Sequence, residues 1–348
     1  MLCEEAGAAF TPKELALPSP QTGEVLVKNI FTTICTSDLH TCMGRRSGQL
    51  PGVLGHEIIG EVVALPDTPI RDYHGQILEL GDRLTWTVYA HDPSDEMARR
   101  GIPQKSAALF KYGHERAVDV STTLSGGFAS HCLLQAGTVL FKLPPKLTAA
   151  EAAPLNCTHA TIAGALRLTG SVKGKRVLIS GAGMLGLSAC AMAKEAGAGS
   201  VWALDPIPER QAKAQFFGAS HSSSPSALPT GYKADILIET SGVSTAMERG
   251  LHRLDIGGIA VLVGAVYTQP DLAINAELIV RNILTIKGLH NYAPQDLAAA
   301  IDFLSSSQGK YPFQELVGVY FPLAELDEAV CVADHGPHYR VGIYPNKK

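Results

Sequence analysis

The sequence predicts an α/β protein, in which a doubly wound parallel-sheet domain is inserted into a β-rich module. Before Leu147, short runs of β-forming residues alternate with Pro and Gly. From Lys175 to Gly264, strand and helix patterns alternate, which is typical of a parallel sheet with helices on both faces. The elements after Leu289 are too few for a third domain, so we expect them to complete the first module.

Length and composition fit two folded domains and no nucleic-acid partner. The chain has 348 residues, of which 46% are hydrophobic, and a domain usually holds about 100–200 residues. Lys and Arg total 29 against 33 Asp and Glu, a net charge of −4, whereas nucleic-acid-binding proteins usually show a basic excess. The seven cysteines are scattered and odd in number, which indicates free thiols or metal ligands in a reducing compartment.

The chain shows no feature of a secreted or membrane protein. Its first ten residues include Glu4 and Glu5 and lack a basic segment followed by an apolar run. The longest apolar stretches, such as Ile259–Val266, are far shorter than the roughly 20 residues that cross a bilayer. We therefore expect a cytoplasmic protein with no membrane partner.

The β-rich module is predicted to contain strands at 24–28, 58–64, 83–89 and 127–134. At its end, Thr148 and Glu151 form a capping-box pattern, so a helix is expected to begin there and to run past Pro154.

The inserted domain is predicted to contain strands at 176–180, 200–204, 234–239 and 259–264, with helices at 184–196 and 208–217. The segment 221–229, rich in Ser and Pro, is expected to be a surface loop. The returning segment is predicted to form a helix at 296–305 and strands at 317–320 and 339–344.

A glycine-rich motif between the first strand and helix of the inserted domain predicts a dinucleotide site. Glycines at these positions allow a tight turn, close approach of the backbone to a pyrophosphate and close helix–strand packing. The free N–H groups that begin the helix attract phosphate. The residues expected to contact the cofactor here are Gly181, Gly183, Met184, Leu185 and Gly186.

An acidic residue at the end of the next strand indicates NAD as the cofactor. Asp205 lies 19 residues after Gly186, where a carboxylate accepts hydrogen bonds from the adenosine ribose. Because its charge repels a 2′-phosphate, NAD is favoured over NADP. Arg210 is close enough in sequence to moderate this preference.

Three separated motifs carry candidate metal ligands: Cys35-Thr-Ser-Asp-Leu-His40, Gly55-His56-Glu57 and Pro154-Leu-Asn-Cys157. Two thiolates and an imidazole form a three-ligand zinc site with one open position, which is the catalytic kind. Each of these residues alone has a simpler explanation, since a buried cysteine is usually a small hydrophobic residue.

Taken together, the motifs resemble those of the zinc-dependent medium-chain alcohol dehydrogenases over nearly the whole chain. The resemblance implies a GroES-like catalytic domain at 1–158 and 290–348 and a Rossmann domain at 159–289. It implies that Cys35, His56 and Cys157 bind one catalytic zinc, which acts as a Lewis acid on an alcohol while a hydride passes to the nicotinamide.

The resemblance also implies roles for residues around the metal. Ser37 would hydrogen-bond the substrate oxygen, and His40 would complete a proton relay to solvent. Asp38 would orient His56, Glu57 would lie behind the metal and exchange with a ligand, and Arg340 would pair with the cofactor pyrophosphate.

The chain departs from the family pattern where many relatives hold a second, structural zinc. The four positions that carry cysteines in those relatives are Asp92, Asp95, Ala98 and Ser106 in this sequence. These side chains cannot form a closed thiolate cage, so we expect no structural zinc.

Arg45, Arg46 and Lys111 are similar to residues in a branch of the family associated with phosphonate catabolism. They are candidates for holding an anionic group of the substrate, because guanidinium binds phosphonate well. An ordinary solvated surface is the alternative for these residues. Polyol, threonine and formaldehyde dehydrogenases remain alternative functions. A zinc-free reductase and an inactive NAD-binding relative are further alternatives, although proteins of these last two kinds typically lack the three ligands.

The family resemblance further implies a homodimer or homotetramer. The segments Ile259–Val266 and Leu284–Ile286 are the candidates for pairing across a twofold axis, since an apolar edge is normally covered.

Overall fold

The computed structural model describes residues 1–46, 48–267 and 269–346. They pack into two compact units. The first comprises Met1–Cys157, Ala293–Gln308 and Phe313–Lys348, and the second comprises Thr158–Tyr292 and Gly309–Pro312. Within the described ranges, every helix is too short or too polar to cross a membrane.

The strands of the described residues are, in chain order, β1 (Val25–Ile34), β2 (Glu57–Ala64), β3 (Arg83–Ala90), β4 (Phe110–Lys111), β5 (His131–Leu134), β6 (Thr138–Lys142), β7 (Arg176–Ser180), β8 (Ser200–Leu204), β9 (His221–Ser223), β10 (Ala234–Glu239), β11 (Leu254–Leu262), β12 (Thr285–Gly288), β13 (Val317–Pro322) and β14 (Arg340–Tyr344).

The α-helices are α1 (Thr36–Cys42), α2 (Glu96–Arg99), α3 (Val120–Thr123), α4 (Ala149–Ala152), α5 (Thr158–Thr169), α6 (Met184–Glu195), α7 (Pro208–Phe216), α8 (Ser244–Leu251), α9 (Ala276–Asn282), α10 (Pro294–Ser306) and α11 (Leu326–His335). Short 3₁₀ turns occupy Pro103–Lys105, Ala153–Asn156, Phe313–Leu316 and Leu323–Glu325.

The first unit is built on a mixed sheet of eight strands. Its main order is β13-β14-β1-β2-β3-β4, while β5 pairs with β1 and β6 pairs with β3. The long strand β1 is central, because it is antiparallel to β2, β5 and β14. Through β14, the returning C-terminal segment becomes part of this sheet.

The second unit is a six-stranded parallel sheet. Its order is β12-β11-β10-β7-β8-β9, so the chain reverses direction across the sheet between β7 and β10. Dinucleotides bind outside the carboxyl ends of the strands at such a reversal. Buried Leu178, Leu237 and Leu254 belong to the apolar core of this unit. The predicted fold class is thus confirmed.

Two local predictions were wrong. The helix expected to continue past Pro154 instead ends at Ala152, and a 3₁₀ turn follows before α5, because proline lacks the N–H that a helix interior needs. The segment expected to be a loop begins with β9, which pairs with β8 at the edge of the parallel sheet. Its short, polar sequence gives no strand pattern.

One candidate for pairing across a twofold axis also has to be corrected. The residues from Ile259 to Leu262 lie within β11, which pairs with β10 on one side and β12 on the other. Their backbone N–H and C=O groups pair with β10 and β12, so this strand has no open edge for a second chain. Strand β12, which contains Ile286, lies at the edge of the sheet.

The cysteine thiols differ strongly in accessibility, so we expect Cys331 to react before the five buried cysteines. Cys331 is exposed, whereas Cys3, Cys35, Cys42, Cys132 and Cys190 are buried. Burial raises the pKa of both Cys42 and Cys190 to about 12, and the thiolate is the reactive form. Brief iodoacetamide treatment followed by peptide mass mapping should label Cys331 first, and Cys331→Ser should remove this fast phase. Equal labelling of Cys190 would contradict the prediction.

Candidate metal centre and dinucleotide site

The three predicted metal ligands meet inside the first unit. Cys35 lies between β1 and α1, His56 immediately precedes β2, and Cys157 follows the 3₁₀ turn that begins at Ala153. One ligand atom from each of Cys35, His56, Glu57 and Cys157 lies within 4.8 Å of the others. Two sulfurs, an imidazole nitrogen and a nearby carboxylate are a donor set that fits zinc.

The carboxylate of Asp38 holds two of these ligands in place. One oxygen contacts His56 Nδ1 at 3.0 Å and accepts from the amide of Gly55 at 3.2 Å. The other oxygen accepts from the amide of Cys35 at 2.9 Å. With Nδ1 donating to Asp38, the lone pair of His56 Nε2 is free to face a metal. Nε2 lies 3.3 Å from the sulfur of Cys157.

The protonation of the site reflects these contacts. The Cys157 thiol donates to the sulfur of Cys35, which lowers the pKa of Cys35 well below its usual range and raises that of Cys157 well above it. Burial alone would lower the pKa of His56, but the charge of Asp38 and its hydrogen bond raise it well above the usual value. A metal ion therefore displaces protons as it binds.

Glu57 forms a buried ion pair behind the ligands. Arg340 donates to its two carboxylate oxygens through Nε at 2.7 Å and Nη2 at 2.8 Å, and Thr33 donates to it as well. Arg340 Nη2 also lies 3.5 Å from the sulfur of Cys35. The structure thus places Arg340 beside the metal ligands, and its predicted pairing with a pyrophosphate stays a prediction.

Ser37 and His40, the predicted proton relay, both lie on α1. The hydroxyl of Ser37 is 3.4 Å from His56 Nε2, on the side of the ring that faces the other ligands. The ring of His40 is half-buried, and burial together with Arg45 and Arg46 lowers its pKa. A neutral imidazole is able to accept a proton near neutral pH.

His114 and Arg46 form a contact next to the metal ligands that the motifs did not reveal. The ring of His114 lies 5.1 Å from the ring of His56, measured between centroids. Arg46 donates to His114 Nδ1 at 3.2 Å and to the hydroxyl of Thr41 at 3.1 Å. Burial, followed by the charges of His56, Arg46 and Lys111, lowers the pKa of His114 well below its usual value.

The other two candidate anion ligands have different surroundings. Arg45 forms two hydrogen bonds, of 2.7 and 2.6 Å, with the carboxylate of Asp334 on α11, so an anion would have to displace Asp334. Lys111 is half-buried on β4, and its backbone amide donates to Glu115. Arg46 and Lys111 therefore remain as candidates.

The glycine-rich turn lies in the second unit, between β7 and α6. Gly181 has a φ of +94°, and a Cβ at Gly186 would lie 1.9 Å from the carbonyl oxygen of Gly181, so both positions require glycine. A Cβ at Gly183 would meet nothing within 4 Å, which leaves room for a ligand at the first turn of α6. Met184 and Leu185 begin that helix and present its amides. The turn fits a pyrophosphate.

Asp205 lies next to this turn, directly after β8. Its two oxygens accept from the amides of Ala182 at 2.8 Å and Ile207 at 3.0 Å. Arg210 lies 4.0 Å from the same carboxylate. The predicted ribose ligand and the arginine expected to moderate it are thus together at the carboxyl edge of the sheet.

The lobe that would hold a structural zinc in relatives is organised around a carboxylate. Asp95 caps α2 by accepting from the amide of Met97 at 2.7 Å, and its other oxygen accepts from Ala107 at 3.1 Å. Asp92 accepts from the amide of Ser94 at 2.8 Å. Asp95 therefore joins the two ends of the lobe through hydrogen bonds.

Two family models match the chain. Residues 21–145 match the alcohol dehydrogenase GroES-like domain, and residues 185–306 match zinc-binding dehydrogenase. The sorbitol dehydrogenase of Halalkalibacterium halodurans is 27% identical, with 97% of this chain and 96% of that protein covered. The L-threonine 3-dehydrogenase of Pyrococcus abyssi is 30% identical, with coverage of 79% and 78%.

A solved structure supports the same relationship. The alcohol dehydrogenase from Thermotoga maritima superposes with a TM-score of 0.93 at 25% identity, and the match covers 99% of this chain and 98% of that one. The similarity therefore extends over both units and the returning segment.

Asp38→Asn should lower the affinity for zinc about 10–100-fold, the usual effect of removing a partner that orients a ligand. The amide keeps the shape of the side chain but loses the charge that holds His56 Nδ1–H. Competition with a chromophoric chelator measures the affinity, and Asp92→Asn, an exposed carboxylate of the lobe, is the matched control. Equal zinc affinities in wild type and Asp38→Asn would refute this role of Asp38.

Proposed function

Because this chain belongs to the zinc-dependent medium-chain alcohol dehydrogenases, we propose that it oxidises a small alcohol bearing an anionic group, such as a hydroxyphosphonate, to a ketone or aldehyde with NAD. The observation that carries the reaction class is the convergence of Cys35, His56 and Cys157 in one cluster. Arg46 and Lys111 support the proposed substrate class.

The chemistry is shared between the cofactors and the chain. When bound, zinc supplies a Lewis acid for the alcohol oxygen, and the nicotinamide supplies the hydride acceptor. Cys35, His56 and Cys157 hold the metal, and Asp38 fixes the orientation of His56. The Ser37 hydroxyl, close to His56 Nε2, would accept the proton of the alcohol as it gives up its own, and His40 would take up the released proton and pass it to solvent.

The proposed anion subsite lies around His114. Arg46 is fixed there by two hydrogen bonds, to His114 and Thr41, so little side-chain freedom would be lost when it binds a ligand. The charge of Lys111 reaches His114 and also, after burial, lowers the pKa of Lys105. This concentration of positive charge next to a metal ligand suits an alcohol with a phosphonate or carboxylate a few atoms away.

The proposed cofactor preference is NAD over NADP. Asp205 presents a carboxylate at the position of the adenosine ribose, and a 2′-phosphate there would be repelled. Arg210, 4.0 Å from that carboxylate, offsets part of the repulsion. Parallel measurements of kcat/KM with NAD and NADP test this preference.

We also propose a homodimer or homotetramer in which strand β12 meets its copy. This strand lies at the edge of the parallel sheet, and Val280 and Ile283, just before it, are 75% and 72% exposed. Apolar residues beside an open strand edge are usually covered in an assembly. Light scattering on the purified protein gives the number of chains.

Zinc removal tests the reaction class. We expect one zinc per chain, because the lobe offers Asp92, Asp95, Ala98 and Ser106 in place of four thiolates. A chelator should abolish NAD reduction, and added zinc should restore it, with metal content followed by atomic absorption. Activity that is indifferent to both treatments would refute the zinc-dependent reaction, and two zincs per chain would refute the single site.

Arg46→Ala should raise the KM for hydroxyphosphonates about tenfold or more, because it removes a charge-assisted hydrogen bond. The KM values for neutral secondary alcohols and for sorbitol should change by no more than about twofold. Arg45→Ala is the matched control, since that arginine is held by Asp334. An equal rise in KM for charged and neutral alcohols would rule out the anion subsite.

A further inference from the structure

Glu239 is a buried carboxylate in the second unit that no motif assigned. It ends β10 and has no exposed surface. One oxygen accepts from both the amide and the hydroxyl of Ser241, and the other accepts from the amide of Gly242 at 3.3 Å. Burial raises the pKa of Glu239 above its usual value, and these neutral donors, aimed at both oxygens, offset part of that rise by stabilising the ionised carboxylate.

The loop that Glu239 holds is part of the wall of the dinucleotide turn. A Cβ at Gly181 would lie 3.0 Å from the backbone of Ser241, and the hydroxyl of Thr240 donates to the carbonyl groups of Ser180 and Gly181. On its other side, a Cβ at Gly264 would lie 2.2 Å from the amide nitrogen of Gly242. The loop is thus packed between the ends of β7 and β11.

Sheet topology places this carboxylate under one half of the cofactor. A dinucleotide lies across the carboxyl ends of the strands at the reversal point, which falls between β7 and β10. Asp205, after β8, fixes the adenosine half on one side. The nicotinamide half therefore extends over the ends of β10 and β11, where Glu239 lies.

We propose that the negative charge of Glu239 stabilises the oxidised cofactor over the reduced one, so that this residue sets the relative affinity for NAD⁺ and NADH. The nicotinamide ring carries a positive charge in NAD⁺ and none in NADH, whereas the rest of the molecule is the same. A buried carboxylate therefore attracts only the oxidised ring, and salt screens this attraction weakly. The inference rests on the proposed function only in assuming that a nicotinamide dinucleotide binds to the second unit.

The test is to measure the dissociation constants of NAD⁺ and NADH separately, by calorimetry and by NADH fluorescence, without substrate. Glu239→Gln keeps the size of the side chain and removes its charge. We expect the ratio Kd(NAD⁺)/Kd(NADH) to rise about five- to tenfold. Glu195→Gln, an exposed carboxylate at the far end of α6, should leave the ratio unchanged.

A purely structural role would give a different result. If Glu239 only holds the 240–242 loop, Glu239→Gln weakens both nucleotides equally, and the proposal is wrong. Glu239→Asp keeps the charge and shortens the reach to Ser241 and Gly242, so both affinities should fall while the ratio stays within about twofold of wild type. If circular dichroism shows that Glu239→Gln does not fold, Glu239→Asp becomes the test. A ratio Kd(NAD⁺)/Kd(NADH) that differs from wild type by more than about twofold in Glu239→Asp would then overturn the proposal. Wild-type protein that binds neither nucleotide would instead refute the proposed cofactor.

Discussion

The metal centre depends on the buried carboxylate of Asp38. It accepts hydrogen bonds from the amides of Cys35 and Gly55 and holds the ring of His56. Because these donors come from two motifs that are distant in sequence, a single side chain determines the relative position of two ligands. A buried donor left without its acceptor costs about 1–3 kcal/mol, and here three donors depend on the two oxygens of one carboxylate. The same hydrogen bonds therefore order the local backbone and position the candidate metal ligands.

The returning C-terminal segment supplies a positive charge that the cluster of candidate metal ligands needs. With a divalent cation bound, two thiolates would balance its charge, which would leave Glu57 as an additional buried negative charge. Arg340, on β14, neutralises it through two hydrogen bonds. Since β14 pairs with β1, which leads directly into Cys35, pairing of the C-terminal strand delivers the compensating cation. A first module without this strand would retain an unpaired carboxylate next to its ligands, and an unpaired buried charge is strongly destabilising.

What the sequence could predict follows from the range of the interactions. The parallel-sheet domain was predicted because strand, glycine turn and helix are adjacent in the chain. The wrong prediction of a helix past Pro154 also has a local cause, since proline interrupts the helical hydrogen bonds. The partners of Arg45 and Arg340 could not be predicted, because they lie 289 and 283 residues away and no spacing rule connects them. Thr33 was missed for the same reason: it faces Glu57 only through the β1–β2 register. The family resemblance indicated the candidate metal ligands, but not the residues that hold those ligands in place.

His56 is held from two directions, and this couples the metal centre to the proposed anion subsite. Asp38 fixes the edge of its ring, while His114 lies close to the ring itself. A guanidinium only donates hydrogen bonds, so Arg46 fixes Nδ1 of His114 as an acceptor, and the neutral ring carries its proton on Nε2. Two of the five N–H donors of Arg46 hold His114 and Thr41, so an anion at the proposed subsite would bind through the others. An anion bound at the proposed subsite would therefore be linked to His56 through one hydrogen bond, from Arg46 to His114, and one ring contact, between His114 and His56.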